Sequence, residues 1–128
     1  MVKLSSSLED YIEAIYILVQ QGGEARLTDV ADFLNVSQPS VSRAIGTLKD
    51  AGLVVHESYG QISLSPKGKT QAKKVLGRHM LFKRFLTDTL GVDEATAEKD
   101  ACRMEHVVSG ETIEKLHAYL ESEKKKEV

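Results

Sequence analysis

The sequence has little that would support a secreted or membrane protein. A single cysteine in 128 residues cannot form an internal disulfide, which fits a reducing compartment. The N-terminal stretch around Ser5-Ser6-Ser7 has no apolar segment of the kind found in secretion signals. No apolar run approaches the length needed to span a bilayer. We therefore expect a cytoplasmic protein with no membrane partner.

The sequence also has few aromatic residues and no net positive charge. Aromatic side chains make up 5% of the chain, which argues against a stacking platform for single-stranded nucleic acid. The formal net charge is −2, so a surface that binds nucleic acid would need a local concentration of positive charge. The length suits one domain, or a small domain with an appended helical part.

The N-terminal stretch predicts an amphipathic helix that ends at Gly22-Gly23. Ser5-Ser6-Ser7 offers N-cap candidates, and apolar residues then recur at helical spacing: Leu8, Ile12, Ile15, Tyr16 and Val19. Asp10 and Glu13 are one turn apart on this helix. They are candidate metal ligands, but acidic residues at this position also complement the helix dipole, and Ser7 to Asp10 has capping-box spacing.

The next segment predicts a helix-turn-helix. A short helix starts at Leu27-Thr28-Asp29 with Thr28 as its cap, and a turn follows at Asn35-Val36. Ser37 then caps a third helix, which ends at Ala51-Gly52. Its exposed residues are small or hydrogen-bonding, apart from the cations, which suits major-groove reading but also an ordinary polar helix face. The DNA-binding candidates are Ser37, Gln38, Pro39, Ser40, Ser42, Arg43 and Thr47, with Arg43 expected to read a base.

Two β-rich runs follow and meet around Tyr59-Gly60, which predicts a hairpin. A helix-turn-helix followed by a hairpin is a winged helix, and His56 is then a wing or surface histidine. A long helix is predicted from about Lys67 to Leu90. The lysines at its start either contact phosphate or merely keep that face solvated.

The stretch Asp100–Ser109 carries the most distinctive chemistry. It has no glycine or proline, and we predict a helix over Glu94–Val108 that places Cys102, Glu105 and His106 on one face. A thiol, a carboxylate and an imidazole form a plausible metal-ligand set. One helix face cannot complete a coordination sphere, so further ligands would come from Asp10, Glu13 and His79. The alternative is a small buried cysteine beside a solvated Glu-His pair.

A last helix begins at Ser109 or Gly110, with Ile113, Leu116 and Leu120 as its apolar stripe. The sequence thus divides into a DNA-reading domain, residues 1–75, and a helical metal-binding and dimerisation domain, residues 76–128. The helical part has surplus apolar surface, which suggests a homodimer. Two-fold symmetry in turn implies a palindromic operator on double-stranded DNA.

The sequence resembles the diphtheria toxin repressor family of metal-dependent transcriptional repressors over essentially its whole length. The most specific motif is Ala101–Ser109, supported by Asp10–Tyr16, Ser37–Ser42 and Arg78-His79. The resemblance implies a mainly α fold with a small β wing, in which an N-terminal winged helix-turn-helix precedes a C-terminal helical dimerisation domain. Many members add an SH3-like domain. This chain ends too early for one, as in the manganese-regulator branch.

The resemblance also implies a metal site, because position 10 is a ligand in the family. Cys102, Glu105 and His106 match the primary site of the iron-responsive branch. Asp10, Glu13 and His79 resemble the manganese-responsive branch instead. A thiolate favours Fe(II) over Mn(II), so we expect Fe(II), with Mn(II) as the alternative.

The iron-responsive branch has an ancillary site that uses His79 and two further positions, which here hold Lys83 and Glu98. A protonated lysine cannot bind a metal ion. We therefore expect that site to be altered or absent, and we expect Lys83 and Glu98 to pair with each other.

These features predict a metal-activated repressor rather than an enzyme, and the family resemblance implies that it represses metal-uptake genes. The sequence has no nucleophile motif, no Gly-rich phosphate loop and no extra general base near the ligand cluster. Metal binding would neutralise the clustered carboxylates and tie the DNA-binding helices to the C-terminal part. The alternative is a winged-helix regulator that responds to an organic ligand, or to redox chemistry at Cys102.

Overall fold

The computed structural model describes residues 4–57 and 60–126 and has two compact units, Met1–Lys74 and Val75–Val128. The main elements, in chain order, are α1 (Ser6–Gln20), α2 (Leu27–Leu34), α3 (Gln38–Asp50), β1 (Val54–His56), β2 (Ile62–Leu64), α4 (Pro66–Arg84), α5 (Glu94–Met104) and α6 (Gly110–Lys126). A π-helical turn, Phe85–Thr89, follows α4. None of the helices in the described part of the chain is both long and apolar enough to cross a membrane.

The first unit has a core built from the apolar faces of α1, α2 and α3. These helices form where the sequence predicted them because the apolar residues recur every three to four positions. Ser5 caps α1 by accepting the backbone N–H of Leu8 at 3.2 Å. The fully buried members of the core include Ile12, Ile15, Val30, Val41 and Leu48.

The hairpin packs beside the entry to α2 and completes the winged helix. Its antiparallel register pairs Val54 with Leu64 and His56 with Ile62. The backbone N–H of Ile62 also donates to the carbonyl of Ala25, at 2.7 Å, which ties the wing to the segment before α2. The predicted hairpin turn at Tyr59-Gly60 lies partly outside the described residues, which exclude Ser58 and Tyr59.

The second unit buries apolar side chains from the C-terminal half of α4, the π-helical turn, α5 and α6. Asp93 caps α5 by accepting the backbone N–H of Thr96 at 3.4 Å. Ser109 caps α6 in the same way by accepting the backbone N–H of Thr112 at 3.2 Å, and α6 begins at Gly110, one of the two predicted starts. The buried apolar residues of the second unit include Val75, Phe82, Leu86, Ala97, Ala101 and Leu120.

The helical segment predicted from about Lys67 to Leu90 is confirmed, with an α-helix to Arg84 and the π-helical turn directly after it. Two local predictions were wrong. Thr28 does not cap α2, because α2 begins at Leu27 and the Asp29 carboxylate reaches back to the Arg26 N–H at 3.1 Å. The helix predicted to reach Val108 ends at Met104, and a turn follows.

Candidate functional site

The predicted DNA-reading face of α3 is open to solvent. Its buried side consists of Val41, Ala44, Ile45 and Leu48, which pack into the core of the first unit. The opposite side carries the candidate residues: Ser37, Gln38, Pro39, Ser42, Arg43 and Thr47 are exposed, and Ser40 is half-buried. The amphipathic pattern of α3 thus leaves a contiguous polar face available for a ligand.

Hydrogen bonds within α3 direct Arg43 toward the start of the helix. Ser37 caps α3 by accepting the backbone N–H of Ser40 at 3.3 Å, and the two hydroxyls lie 2.8 Å apart. The guanidinium of Arg43 donates to the Ser40 hydroxyl at 3.5 Å. In helix-turn-helix proteins the N-terminal residues of the second helix contact base edges. Arg43 is therefore directed toward the N-terminal end of α3, which is the end that contacts bases in helix-turn-helix proteins.

Asp10 and Glu13 lie one turn apart on α1 and are both partly buried. The residues between and beside them, Tyr11, Ile12 and Ala14, are buried in the core of the first unit. The two carboxylates therefore sit at the edge of the apolar face of α1, where acidic side chains can still reach a ligand at the protein surface.

In the second unit, Glu105 is a fully buried carboxylate flanked by two imidazoles. Its Oε2 lies 3.3 Å from Nδ1 of His79, and its Oε1 lies 3.3 Å from Nε2 of His106. Neither oxygen accepts a hydrogen bond of acceptable geometry from the described residues, and Nδ1 of His79 has no such hydrogen-bond partner there either. A buried anion of this kind is costly unless another cation satisfies it.

This donor set fits a divalent transition metal ion. Imidazole nitrogens and carboxylate oxygens both suit Mn(II), Fe(II) and their neighbours. A bound metal ion that displaced a proton from His79 could take the lone pair of Nδ1 and contact the Glu105 oxygens, none of which has a hydrogen-bond partner among the described residues.

Cys102 lies at the edge of this cluster. It is exposed on the last turn of α5, whereas Glu105 follows the end of that helix and is buried. The Cys102 sulfur nevertheless lies within 4.8 Å of a Glu105 carboxylate oxygen. The helical spacing thus indicated the shared side of these residues, but it gave no information about their different depths.

Lys83 and Glu98 form the pair that the sequence suggested. The Lys83 ammonium lies 3.0 Å from Oε2 of Glu98 and 3.5 Å from Glu94. The hydrogen bond from Lys83 lowers the pKa of Glu98 below its usual range, and Glu98 raises the pKa of Lys83. The second oxygen of Glu98 lies 2.7 Å from Nε2 of His79, a contact that no sequence spacing indicated.

The two neighbouring carboxylates change the protonation of His79. Its imidazole is almost buried, which by itself disfavours the charged form. Glu105, and to a smaller extent Glu98, nevertheless raise the pKa of His79 from 6.5 to about 9. The metal-free site therefore holds an imidazolium between two carboxylates at neutral pH.

Comparisons with known proteins find matches to both the N-terminal and the C-terminal part of the chain. The family sequence model of the iron dependent repressor N-terminal DNA binding domain matches residues 3–62, and that of the metal binding and dimerisation domain matches residues 65–127. An uncharacterized HTH-type transcriptional regulator of Methanocaldococcus jannaschii is 38% identical over 96% of this chain and 99% of its own length. The HTH-type transcriptional regulator MntR of Lysinibacillus sphaericus is 37% identical over 86% of this chain and 78% of its own.

Among solved structures, the manganese regulator SloR superposes with a TM-score of 0.80 at 27% identity. The superposition covers 94% of this chain and 55% of the SloR chain, so this chain spans about half the length of that structure. The chain therefore belongs to the iron-dependent repressor family, the metal-dependent transcriptional repressors that combine a DNA-binding domain with a metal-binding and dimerisation domain.

Proposed function

We propose that this protein is a metal-activated repressor that binds palindromic operator DNA as a homodimer and controls transition-metal homeostasis. The observation that carries the proposal is the buried Glu105 carboxylate between His79 and His106, whose oxygens accept no hydrogen bond from the described residues. A site of this kind favours a divalent cation strongly, so metal concentration becomes the signal that the protein senses.

The proposed ligands are those that the family resemblance implies: His79, Cys102, Glu105 and His106 of residues 76–128, together with Asp10 and Glu13 of residues 1–75. A bound divalent ion would supply the positive charge that the clustered carboxylates require. Asp10 and Glu13 belong to the same helical core that supports α3. Ligation of these residues would therefore bias the DNA-binding helices toward one arrangement, and by reciprocity operator DNA would tighten metal binding.

We favour Fe(II) as the physiological metal, with Mn(II) as the alternative. The thiol of Cys102 near Glu105 supports Fe(II), because a soft sulfur ligand raises the affinity for Fe(II) relative to Mn(II). Two structural neighbours described as manganese-dependent, the manganese regulator SloR and a manganese-dependent transcriptional repressor in complex with manganese, support the alternative. Cobalt(II) can separate the two kinds of site, since a thiolate ligand gives it an intense charge-transfer absorption.

The cobalt experiment compares the wild type with Cys102→Ala under reducing, anaerobic conditions. The expected result is a charge-transfer band in the wild type that Cys102→Ala loses, while the control His117→Ala keeps it. Cobalt binding without the band would make Cys102 a bystander and favour the manganese-like site. If cobalt does not bind at all, the metal-sensor proposal fails and an organic-ligand or redox regulator takes its place.

The homodimer is supported by apolar surface in the second unit. Met80, Leu90 and Val107 are each more than half exposed, which is unusual for such large apolar side chains unless a partner covers them. A two-fold dimer would present two α3 helices to one duplex, which implies an operator with two inverted half-sites. Sedimentation analysis should give twice the monomer mass; a monomer at micromolar concentration would contradict this part of the proposal.

The decisive functional test is selection from a random double-stranded DNA library with and without Mn(II) or Fe(II). We expect enrichment of an inverted repeat only when the metal is present. Glu105→Gln, which should not bind the metal, should enrich no inverted repeat with or without the metal ion. Enrichment that is equal with and without metal would contradict activation by a metal ion.

A further inference from the structure

A series of polar contacts in the second unit leads from the surface to the buried Glu105. The Lys83 ammonium lies 3.0 Å from one oxygen of Glu98, and the other oxygen of Glu98 lies 2.7 Å from Nε2 of His79. The second ring nitrogen of His79, Nδ1, lies 3.3 Å from Glu105. Glu98 therefore contacts Lys83 through one oxygen and His79 through the other. His79 contacts Glu98 through Nε2, and its Nδ1 faces Glu105.

The contact with Glu98 determines which nitrogen of His79 is available to a metal ion. An ionised carboxylate only accepts hydrogen bonds, so Nε2 must carry the proton that it shares with Glu98. Nδ1 is then the nitrogen that can give its lone pair to a metal. Histidines that bind metals commonly donate their other N–H to a carboxylate in this way, which sets both tautomer and ring orientation.

Glu98 needs support to do this, because its side chain is 52% exposed. Lys83 and His79 lie one turn apart on α4, so the two oxygens of Glu98 are held by neighbouring positions of one helix. Lys83 also lies 3.5 Å from Glu94, which precedes Glu98 by one turn on α5. Side chains held by two regular helices are more precisely placed than side chains held by loops.

We propose that Lys83 and Glu98 are positioning residues for the metal centre: Lys83 holds Glu98, and Glu98 presents His79 to the metal through Nδ1. The proposal rests on the metal-binding function proposed above. It gives a role to the two positions at which this chain departs from the ancillary site of the iron-responsive branch, because the pair supports a ligand instead of providing ligands itself.

The test uses two double variants with the same net charge as the wild type. Both carry Lys83→Met, one with Glu98→Gln and the other with Glu98→Met. Each removes one positive and one negative charge, so long-range electrostatics are matched. Only the glutamine can accept a hydrogen bond from Nε2 of His79. Lys99→Met, which changes an exposed lysine on α5, is the control for losing a lysine.

The probe is Co(II) alone, titrated anaerobically and followed by optical absorption. We expect the variant with Glu98→Met to lose about 10–100-fold in Co(II) affinity, as for other outer carboxylate partners of metal-bound histidines. The variant with Glu98→Gln should lose clearly less, and Lys99→Met should match the wild type. Circular dichroism of the metal-free proteins shows whether each variant keeps its helical fold.

Equal affinities in the wild type and both double variants would overturn the positioning role, and so would equal losses in the two. A second measurement is the ¹⁵N spectrum of the histidine rings in the Zn(II)-loaded wild type. It should show Nε2 of His79 protonated and Nδ1 bound to metal, and the reverse pattern would also overturn the role. A wild type that binds no Co(II) refutes the proposed function and the positioning role together, whereas normal binding with insensitive variants refutes the positioning role alone.

Discussion

Nδ1 of His79 lies 3.3 Å from Oε2 of Glu105, inside the second unit, where the Glu105 side chain has no access to solvent. In the metal-free protein the two groups form an ion pair whose geometry falls short of a hydrogen bond. A metal ion would need the same nitrogen and the same oxygens. The proton on His79 and the metal ion therefore compete for one place, and several measurable consequences depend on this pair.

Glu105→Gln should remove metal binding while leaving the protein folded. Glutamine has nearly the shape of glutamate but lacks its charge, and its amide nitrogen is not a metal ligand. Loss of a residue that only hydrogen-bonds to a metal ligand typically lowers metal affinity about 10–100-fold. We expect Glu105→Gln to lower the Co(II) affinity by more than this. Optical titration measures this loss. Glu111→Gln, an exposed glutamate on α6, is the matched control, and an equal loss in it would mean that bulk charge governs binding.

The metal-free protein should lose stability as the pH rises from about 6.5 toward about 9. Glu105 first, and then Glu98, raise the pKa of His79 to about 9 in the folded state. The folded protein therefore binds more protons than the unfolded chain in this range, and the free energy of unfolding must decrease with pH. The contribution is complete below the unfolded pKa of 6.5 and is lost as the pH passes the folded value.

Urea unfolding of the metal-free wild type and His79→Gln at several pH values measures this slope. We expect the difference between the two proteins to shrink with rising pH. His117→Gln, which replaces an exposed histidine on α6, controls for loss of an imidazole. A difference that is independent of pH would show that the ion pair between His79 and Glu105 does not stabilise the fold.

The sequence predicted the first unit better than the second for a physical reason. The periodic apolar residues and the Ser37 cap are local signals, and they placed α1, α3 and the hairpin close to their observed bounds. The cap at Thr28 was wrong because the Asp29 carboxylate can satisfy the same helix end from inside the helix. The spacing of apolar residues does not indicate which of several neighbouring polar side chains bonds to the end of a helix.

The sequence indicated which residues of the candidate site share one side of the chain, but it did not indicate which of them are buried. Helical spacing placed Cys102 and Glu105 on one side, yet the cysteine is exposed and the glutamate is buried. The helix ends at Met104, so Glu105 and His106 lie on a turn whose direction the periodicity does not specify. The pairing of Lys83 with Glu98 was confirmed, whereas the contact of Glu98 with His79 depends on how α4 and α5 pack.

Gly68→Ala should destabilise the first unit by about 1–3 kcal/mol. Gly68 lies on the first turn of α4, and a methyl group added there would collide with the backbone carbonyl oxygen of Leu53, just before β1. That oxygen already accepts the N–H of Ser65 at 3.0 Å, so it cannot move freely. Urea unfolding measures the loss.

Gly77→Ala, in the same helix, is the matched control for Gly68→Ala. An added Cβ at Gly77 meets no atom of the described residues within 4 Å. Because alanine is the better helix former, we expect a gain of about 0.5–1 kcal/mol there. Losses of similar size at both positions would show that the contact between α4 and Leu53 is not the cause.

Arg43→Ala should reduce DNA specificity more than general affinity. The Arg43 guanidinium is directed toward the start of α3 through the Ser40 hydroxyl, at 3.5 Å, and the side chain is exposed on the predicted reading face. An arginine that contacts a guanine there contributes about 1–3 kcal/mol of discrimination at one base position. Competition binding to the selected operator and to single-base variants of it, in the presence of metal, measures this discrimination.

Lys49→Ala, at the far end of α3, is the control. It should weaken binding to all sequences similarly, and it should lower the salt dependence of binding if Lys49 contacts phosphate. If Arg43→Ala also weakens every sequence by the same factor, Arg43 contacts the backbone and base reading must come from another residue of α3.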